Sequence, residues 1–161
     1  MSVGPADPED IAAIMGIERR PGYEALVGRW AEDRHRAEMA DPSVRYFALR
    51  EGGALAGFAI VLGLDDPDRR AHLQRIAVAE PGGGAGARLL RGVIDAVFAG
   101  SETNRLDLDV YVGNDRAKRA YERAGFTAEG VMREHHRAAD GGYRDVWLMS
   151  ILRREWQGDS C

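Results

Sequence analysis

The stretch LQRIAVAEPGGGAGARLL, from Leu73 to Leu90, constrains this chain more than any other. An apolar run of strand character passes through Pro81 into Gly82, Gly83, Gly84 and Gly86. These open directly onto residues at helical spacing, Leu89, Leu90, Val93, Ile94 and Val97. A strand, a glycine loop and a helix joined without spacer place uncovered backbone amides at a helix N-terminus, where the first N–H groups have no carbonyl inside the helix. Such a loop suits an anion, and phosphate is its natural guest.

The rest of the composition narrows the setting. At 161 residues, 45% hydrophobic, 30% charged and net charge -4, the chain reads as one soluble globular domain, 1–161, with its last few residues expected to be mobile. No basic tail is present, so nucleic-acid binding is not expected. The only cysteine is Cys161, which leaves no intrachain disulfide and no thiolate metal site, and fits a reducing cytoplasm. Asp7, Glu9 and Asp10 stand where an export signal would be basic, and no apolar run nears the roughly 20 residues that span a bilayer. Export and membrane association are not expected. Of the 22 basic residues all but Lys118 are arginine, which is read as codon bias.

Periodicity alternates along the chain, and the order reads as strand, two helices, three strands, helix, strand, helix, two strands. Asp7 followed by Pro8 reads as a capped helix start, with Ile11, Ile14 and Met15 behind it. A second helix is predicted from about residue 22 to 39, with Tyr23, Leu26, Val27 and Trp30 on one face. Strands are predicted over 46–49 and 55–62 around Gly52-Gly53, then over 72–78, 106–112, 126–136 and 143–152, the last two joined by Asp140-Gly141-Gly142. The helix after the glycine loop stops at Gly100. Asn114 caps the next, and Gly125 ends it.

Three phosphate-binding patterns compete for the loop. A P-loop needs Gly-Lys-Ser/Thr, and Ala87-Arg88 stand there instead. The dinucleotide fingerprint is met only loosely by Gly82, Gly84 and Ala87, and antiparallel hairpins precede it where parallel strands belong. The third pattern spans the whole chain in element order. Ile76-Ala77-Val78, Gly82-x-Gly84-x-Gly86 with Leu89-Leu90, and Asn114-Asp115-Arg116-Ala117 through Tyr121 to Gly125-Phe126 resemble the GNAT superfamily of acyl-coenzyme A dependent N-acetyltransferases. The close, Glu129 to Glu134 and Gly142 to Ser150, is similar to the branch containing the ribosomal-protein N-terminal acetyltransferases and antibiotic-resistance relatives.

The resemblance implies a single α/β (α+β) domain with a mixed, mostly antiparallel seven-stranded sheet, splayed between strands 4 and 5 and flanked by four helices. It implies acetyl-coenzyme A as cofactor, held by Ile76, Ala77 and Val78, by Gly82, Gly83, Gly84, Ala85, Gly86, Ala87 and Arg88, and by Asn114, Ala117, Arg119 and Tyr121. The acceptor would be a small-molecule amine or a peptide N-terminus, attacking directly in a ternary complex. Family members often pair, so a homodimer is allowed. One departure stands out: members usually carry Gln or Arg where this chain has Pro81, and a basic residue where it has Gly83. Neither adds charge and Pro81 has no amide, so weaker cofactor affinity is expected, with Arg88 or Arg119 assisting.

Amine acetylation needs a deprotonated amine, oxyanion stabilisation and a proton for the departing thiolate. Tyr121 is the expected proton donor, or else a core tyrosine on an alanine-lined helix face. Asn114 is read first as a helix cap. For the base, Asp109 and His72 are both open, and Glu134 with His135 make a third pair; each could equally be solvated. Glu18, Glu24 and Asp109 would make the acceptor side acidic, although Glu18 and Glu24 on helices read as solvated surface. His135-His136 do not make a metal site, because neighbours on a strand point to opposite faces, and no metal is expected. Two rival readings remain: a noncatalytic acyl-coenzyme A binding or sensing module, and a nucleotide-dependent oxidoreductase.

Overall fold

In the computed structural model, which describes residues 1–24 and 27–156, these patterns resolve into seven strands and four α-helices. Strand β1 (Ser2–Pro5) leads to a capping box. The Asp7 carboxylate accepts the Glu9 amide at 3.0 Å, and the Asp10 carboxylate accepts the Asp7 amide at 2.9 Å. The turn so fixed, Pro8–Asp10, runs into α1 (Ile11–Glu18). Then come α2 (Glu32–Ala40), β2 (Arg45–Glu51), β3 (Ala54–Leu62), β4 (Arg70–Val78), α3 (Ala85–Gly100), β5 (Arg105–Tyr111), α4 (Asp115–Arg123), β6 (Thr127–Arg137) and β7 (Tyr143–Leu152). Gly52 and Gly53, with φ of 58° and 83°, make the tight turn between β2 and β3 that the sequence called for.

One sheet runs β1-β2-β3-β4-β5-β7-β6, and only β4 and β5 are parallel. Their ladder lasts three rungs, Arg70 with Arg105, Ala71 with Leu106 and His72 with Asp107. Beyond His72 the two strands part, β4 staying with β3 and β5 with β7. A bulge explains the parting. Arg75 pairs with Ile60 and Leu73 with Val61, so Gln74 has no partner across the ladder, and the extra residue bends and twists β4.

Each side of the sheet has its own core. Leu89, Val93, Ile94 and Val97 of α3 pack on Leu73, Leu106 and Leu108, and Phe126 and Met149 extend that core beneath α4. On the opposite face Ile14 and Ile17 of α1 pack with Tyr46, Phe58, Ile60, Ala77 and Trp30. Burial of each such side chain contributes about 1.5–3 kcal/mol, so the splay is held open by two well-filled layers. Among the described residues no helix is long and apolar enough to cross a membrane.

The second helix differs from expectation. Among the described residues of that span the helix is Glu32–Ala40, and Leu26 lies outside them. Gly22 turns the chain at φ 95°, and the Tyr23 hydroxyl donates to the Val78 carbonyl at 2.7 Å. A Cβ on Gly28 would lie 2.4 Å from the Arg75 guanidinium. Tyr23, Val27 and Trp30 do turn inward together, Tyr23 and Gly28 lying against Val78 and Arg75 of β4. Their spacing imitates a helical stripe.

Candidate active site

The gap between β4 and β5 widens toward the glycine loop. Gly82 and Gly84 take left-handed φ of 97° and 81°, and Gly84 is the N-cap of α3 with no side chain capping it. Ala85, Gly86 and Ala87 occupy the first turn, where amides lack helical partners, and the Arg88 amide closes that turn on the Gly84 carbonyl at 3.2 Å. A Cβ on Gly82, Gly83, Gly84 or Gly86 would meet nothing within 4 Å. The loop therefore presents donors to open space at the positive end of a 16-residue helix, an arrangement that fits a diphosphate. Arg88 does not lie over it: its guanidinium contacts the Met1 sulfur at 3.1 Å. Arg119 is exposed on α4 without an ion-pair partner among the described residues.

One edge of β4 faces the gap. Ala77 and Val78 are buried and paired with Phe58 and Gly57 on β3, and from Leu73 onward β5 does not pair with them. On the far side, the Asn114 side chain accepts the Ala117 amide at 3.4 Å, the cap the sequence predicted. That cap starts α4, whose Ala117, Tyr121 and Ala124 pack on the α3-side core. The Tyr121 ring meets Phe126 edge-on, centroids 5.8 Å apart. Burial, with the negative charge of Asp109 added, pushes its hydroxyl up to about 12. Tyr121 thus keeps its proton, and it lies within electrostatic reach of Asp109.

At the vertex of the splay the other face of the sheet is polar. His72 Nδ1 and Asp107 Oδ1 are 2.5 Å apart, while Asp109 Oδ2 lies 4.0 Å from His72 Nε2 and 3.8 Å from His135 Nε2. Burial disfavours a charged His72, yet the hydrogen bond to Asp107 and the charges of Asp107 and Asp109 outweigh it, so the ring titrates above its ordinary value. Asp107 is held below the usual carboxylate range. Its partial burial opposes this, but His72 and Arg105 prevail. Glu134 adopts φ 49° at a bulge, its amide tied to Asp145 at 2.7 Å, and that irregularity turns His135 toward Asp109.

Beside the vertex lies a group the sequence had placed in solvent. Glu18 is fully buried, and its carboxylate accepts Arg75 Nη1 at 2.6 Å and stands 3.0 Å from His35 Nε2. The other His35 nitrogen meets the Tyr46 hydroxyl at 2.7 Å, and Trp30 stacks on the Arg75 guanidinium, 4.5 Å from ring centroid. Burial works against the Glu18 charge, but His35 and Arg75 more than compensate, and it titrates below its ordinary value. The expectation of a solvated Glu18 is corrected: the C-terminus of α1 closes directly over β4, where a carboxylate needs a partner. Glu24, by contrast, is exposed and accepts the Gly22 amide.

Residues 11–126 match the acetyltransferase (GNAT) family. The chain is a GNAT acetyltransferase. It is 30% identical over 137 residues, 84% of its length and 72% of the relative's, to a Bacillus subtilis protein carrying the name of a ribosomal N-acetyltransferase. It is 32% identical over 113 residues, 68% and 69% of the two chains, to an N-alpha-acetyltransferase of Mycobacterium tuberculosis. Among solved structures, the ribosomal-protein-S18-alanine N-acetyltransferase of Escherichia coli superposes at TM-score 0.78, with 25% identity, covering 99% of this chain and 97% of that one. A Vibrio cholerae spermidine N-acetyltransferase in complex with CoA and spermine superposes at TM-score 0.84, with 23% identity and 96% coverage of both. The GNAT protein is an acyl-coenzyme A dependent N-acetyltransferase using acetyl-coenzyme A, which sets the oxidoreductase reading aside.

The fold of this acetyltransferase brings most of the predicted residues near one gap: the glycine loop and Ile76 to Val78 at the end of β4, Asn114, Ala117 and Tyr121 at the start and along α4 after β5, and His72 and Asp109 at its vertex. Arg88 is turned away. Unforeseen were Asp107 as the partner of His72, and Tyr23, Trp30, His35, Tyr46 and Arg75 behind the vertex. Only Asp107 left a trace, since it shares a strand face with Asp109.

Proposed function

We propose that the protein transfers the acetyl group of acetyl-coenzyme A to a primary amine by direct attack, with both molecules held in the splayed groove. One arrangement carries this reading: the uncapped first turn of α3 opens its amides to space beside the end of β4, while His72, Asp107 and Asp109 gather where β4 and β5 part, so an anion cradle and an acidic cluster flank the same gap. The cofactor supplies the activated acetyl thioester. Gly82 to Ala87, with the helix dipole, would hold its diphosphate, and main-chain groups of Ile76, Ala77 and Val78 its pantetheine arm and acetyl carbonyl. Arg119, exposed on α4 and without an ion pair among the described residues, is the cation suited to assist; Asn114 and Ala117 shape the far wall.

Tyr121 acts by holding its proton toward the departing sulfur. Handing a proton from a phenol near 12 to a thiolate near 8.5 is uphill by roughly 5 kcal/mol, so the hydroxyl keeps its proton and stabilises that charge as a hydrogen-bond donor, while the thiolate takes the second proton that the attacking nitrogen loses as the amide forms. Asp109 of β5, with the exposed Glu134 of β6 and Asp145 of β7 further along the sheet, draws a cationic amine toward the vertex. His72 is the better placed of the two expected bases, because a hydrogen bond already orients its ring. Cys161 lies outside the described residues, and no other thiol exists to carry the acetyl group.

The names of similar proteins span ribosomal proteins and spermidine, and the acidic face favours acceptors of that kind: a polyamine, or a peptide with a free α-amine. Thiol release from acetyl-coenzyme A should appear with at least one of the two. Tyr121→Phe should lower turnover more than tenfold with cofactor affinity retained; unchanged turnover would remove Tyr121 from this role. Tight cofactor binding without thiol release across such amines would instead support the noncatalytic module.

A further inference from the structure

We propose that Asp107 is a positioning residue for the proton-accepting imidazole of His72, the two forming a dyad on the last paired rung of β4 and β5. The inference rests on the acetyl-transfer reading and assigns its base and the group that orients it.

The register puts His72 directly opposite Asp107, and the strands part immediately beyond. Directly opposite residues on neighbouring strands share a face. The rung is therefore the last place where both side chains are fixed by the ladder and the first where the gap admits a substrate. An ionised carboxylate has only acceptors, so the 2.5 Å contact makes Nδ1 the donor and leaves the Nε2 lone pair free in the neutral ring. Asp107 is held in turn: Arg105 Nε approaches its other oxygen at 3.4 Å, and Arg105 Nη2 is anchored on Glu129 at 2.6 Å. This second pair keeps the carboxylate charged and pointed.

The groups around the ring agree with a base. Asp107 and Asp109 face it from β5, and Arg105, Glu129 and His135 stand one contact further out. A cleft of about 210 Å³ opens beside it, lined by Leu62, Gly63, Asp66, Arg70 and Asp107. Nε2 points toward Asp109, the group that would draw an ammonium. The proton leaves the acceptor nitrogen for Nε2, giving an imidazolium stabilised by Asp107, and passes from there through the cleft to solvent. The nitrogen keeps the electron pair it needs for attack.

Asp107→Asn and His72→Gln test this. In ligand-free protein, NMR titration of the His72 ring should move to lower pH in Asp107→Asn, and the neutral ring should lose its preference for Nδ1–H. With amine and acetyl-coenzyme A, the acid limb of kcat/KM for the amine should shift to lower pH and its plateau fall about 100-fold, with KM for acetyl-coenzyme A unchanged. His72→Gln should abolish the limb. An unmoved His72 titration in Asp107→Asn overturns the dyad; a moved titration with unchanged kinetics, or a wild-type rate in His72→Gln, overturns its role. If the unmodified protein acetylates no amine, the transfer reading has failed, and the NMR titration alone then supports or overturns the Asp107–His72 pairing.

Discussion

The two sides of the splay are built from different materials. On the glycine-loop side the groups open to a ligand belong mostly to the main chain: the amides from Gly82 to Ala87 and the unpaired edge of β4. Across the sheet, around the vertex, they are charged side chains that fix one another: Glu18 with Arg75 and His35, Asp107 with His72 and Arg105. A backbone site depends on conformation and tolerates many side chains. A site made of interlocked charges depends on every partner, because removing one leaves another uncompensated in low dielectric. Substitutions should therefore hurt the two sides in different ways.

The largest effect should come from the buried pair. Arg75→Ala strips Glu18 of its shortest ion pair and should cost about 3–5 kcal/mol, read as a fall of roughly 10 °C in Tm. The sign with pH follows from the depressed Glu18 carboxyl. Its contribution is whole above the unfolded value near 4.5 and is lost as pH falls through the lower folded value. Acid melts of Glu18→Gln should lack that part of the slope. A flat response in both variants would mean that this side is no more charge-dependent than the other.

A middling effect should mark the loop. Gly84→Ala forces a Cβ into left-handed backbone and should cost about 1–2 kcal/mol, whereas Gly83, whose φ is not positive, should accept alanine without loss of Tm. Equal losses at both positions would show that conformation does not govern this side. The smallest effect belongs to α2, where Glu32 and Arg36 form an exposed pair at 2.7 Å. Glu32→Ala should change stability by under about 0.5 kcal/mol. Set against Arg75→Ala, it separates burial from charge.

The same contrast governs what could be read from sequence. A loop that works through its backbone leaves its signature locally, as glycines between a strand and a helix, so Gly82 to Ala87 were legible, as were the Asn114 cap and the place of Tyr121 about two helical turns after it. Glu18 and Arg75 are 57 residues apart and meet only because α1 lies across β4. No local pattern announces that meeting. Tyr23, Val27 and Trp30 misled for a related reason: helical spacing records which residues turn inward, and anchoring by the Tyr23 hydroxyl on Val78 and by Gly28 against Arg75 turns them inward equally well. The splay was legible only through family resemblance, since the bulge at Gln74 that causes it has no glycine or proline to mark it.

Backbone amide shifts on titration with coenzyme A test the central claim most directly. The largest changes should fall on Gly82 to Ala87 and on Ile76 to Val78, with β1 and β2 nearly silent. Changes centred on another face of the sheet, with residues 82–87 unmoved, would contradict it.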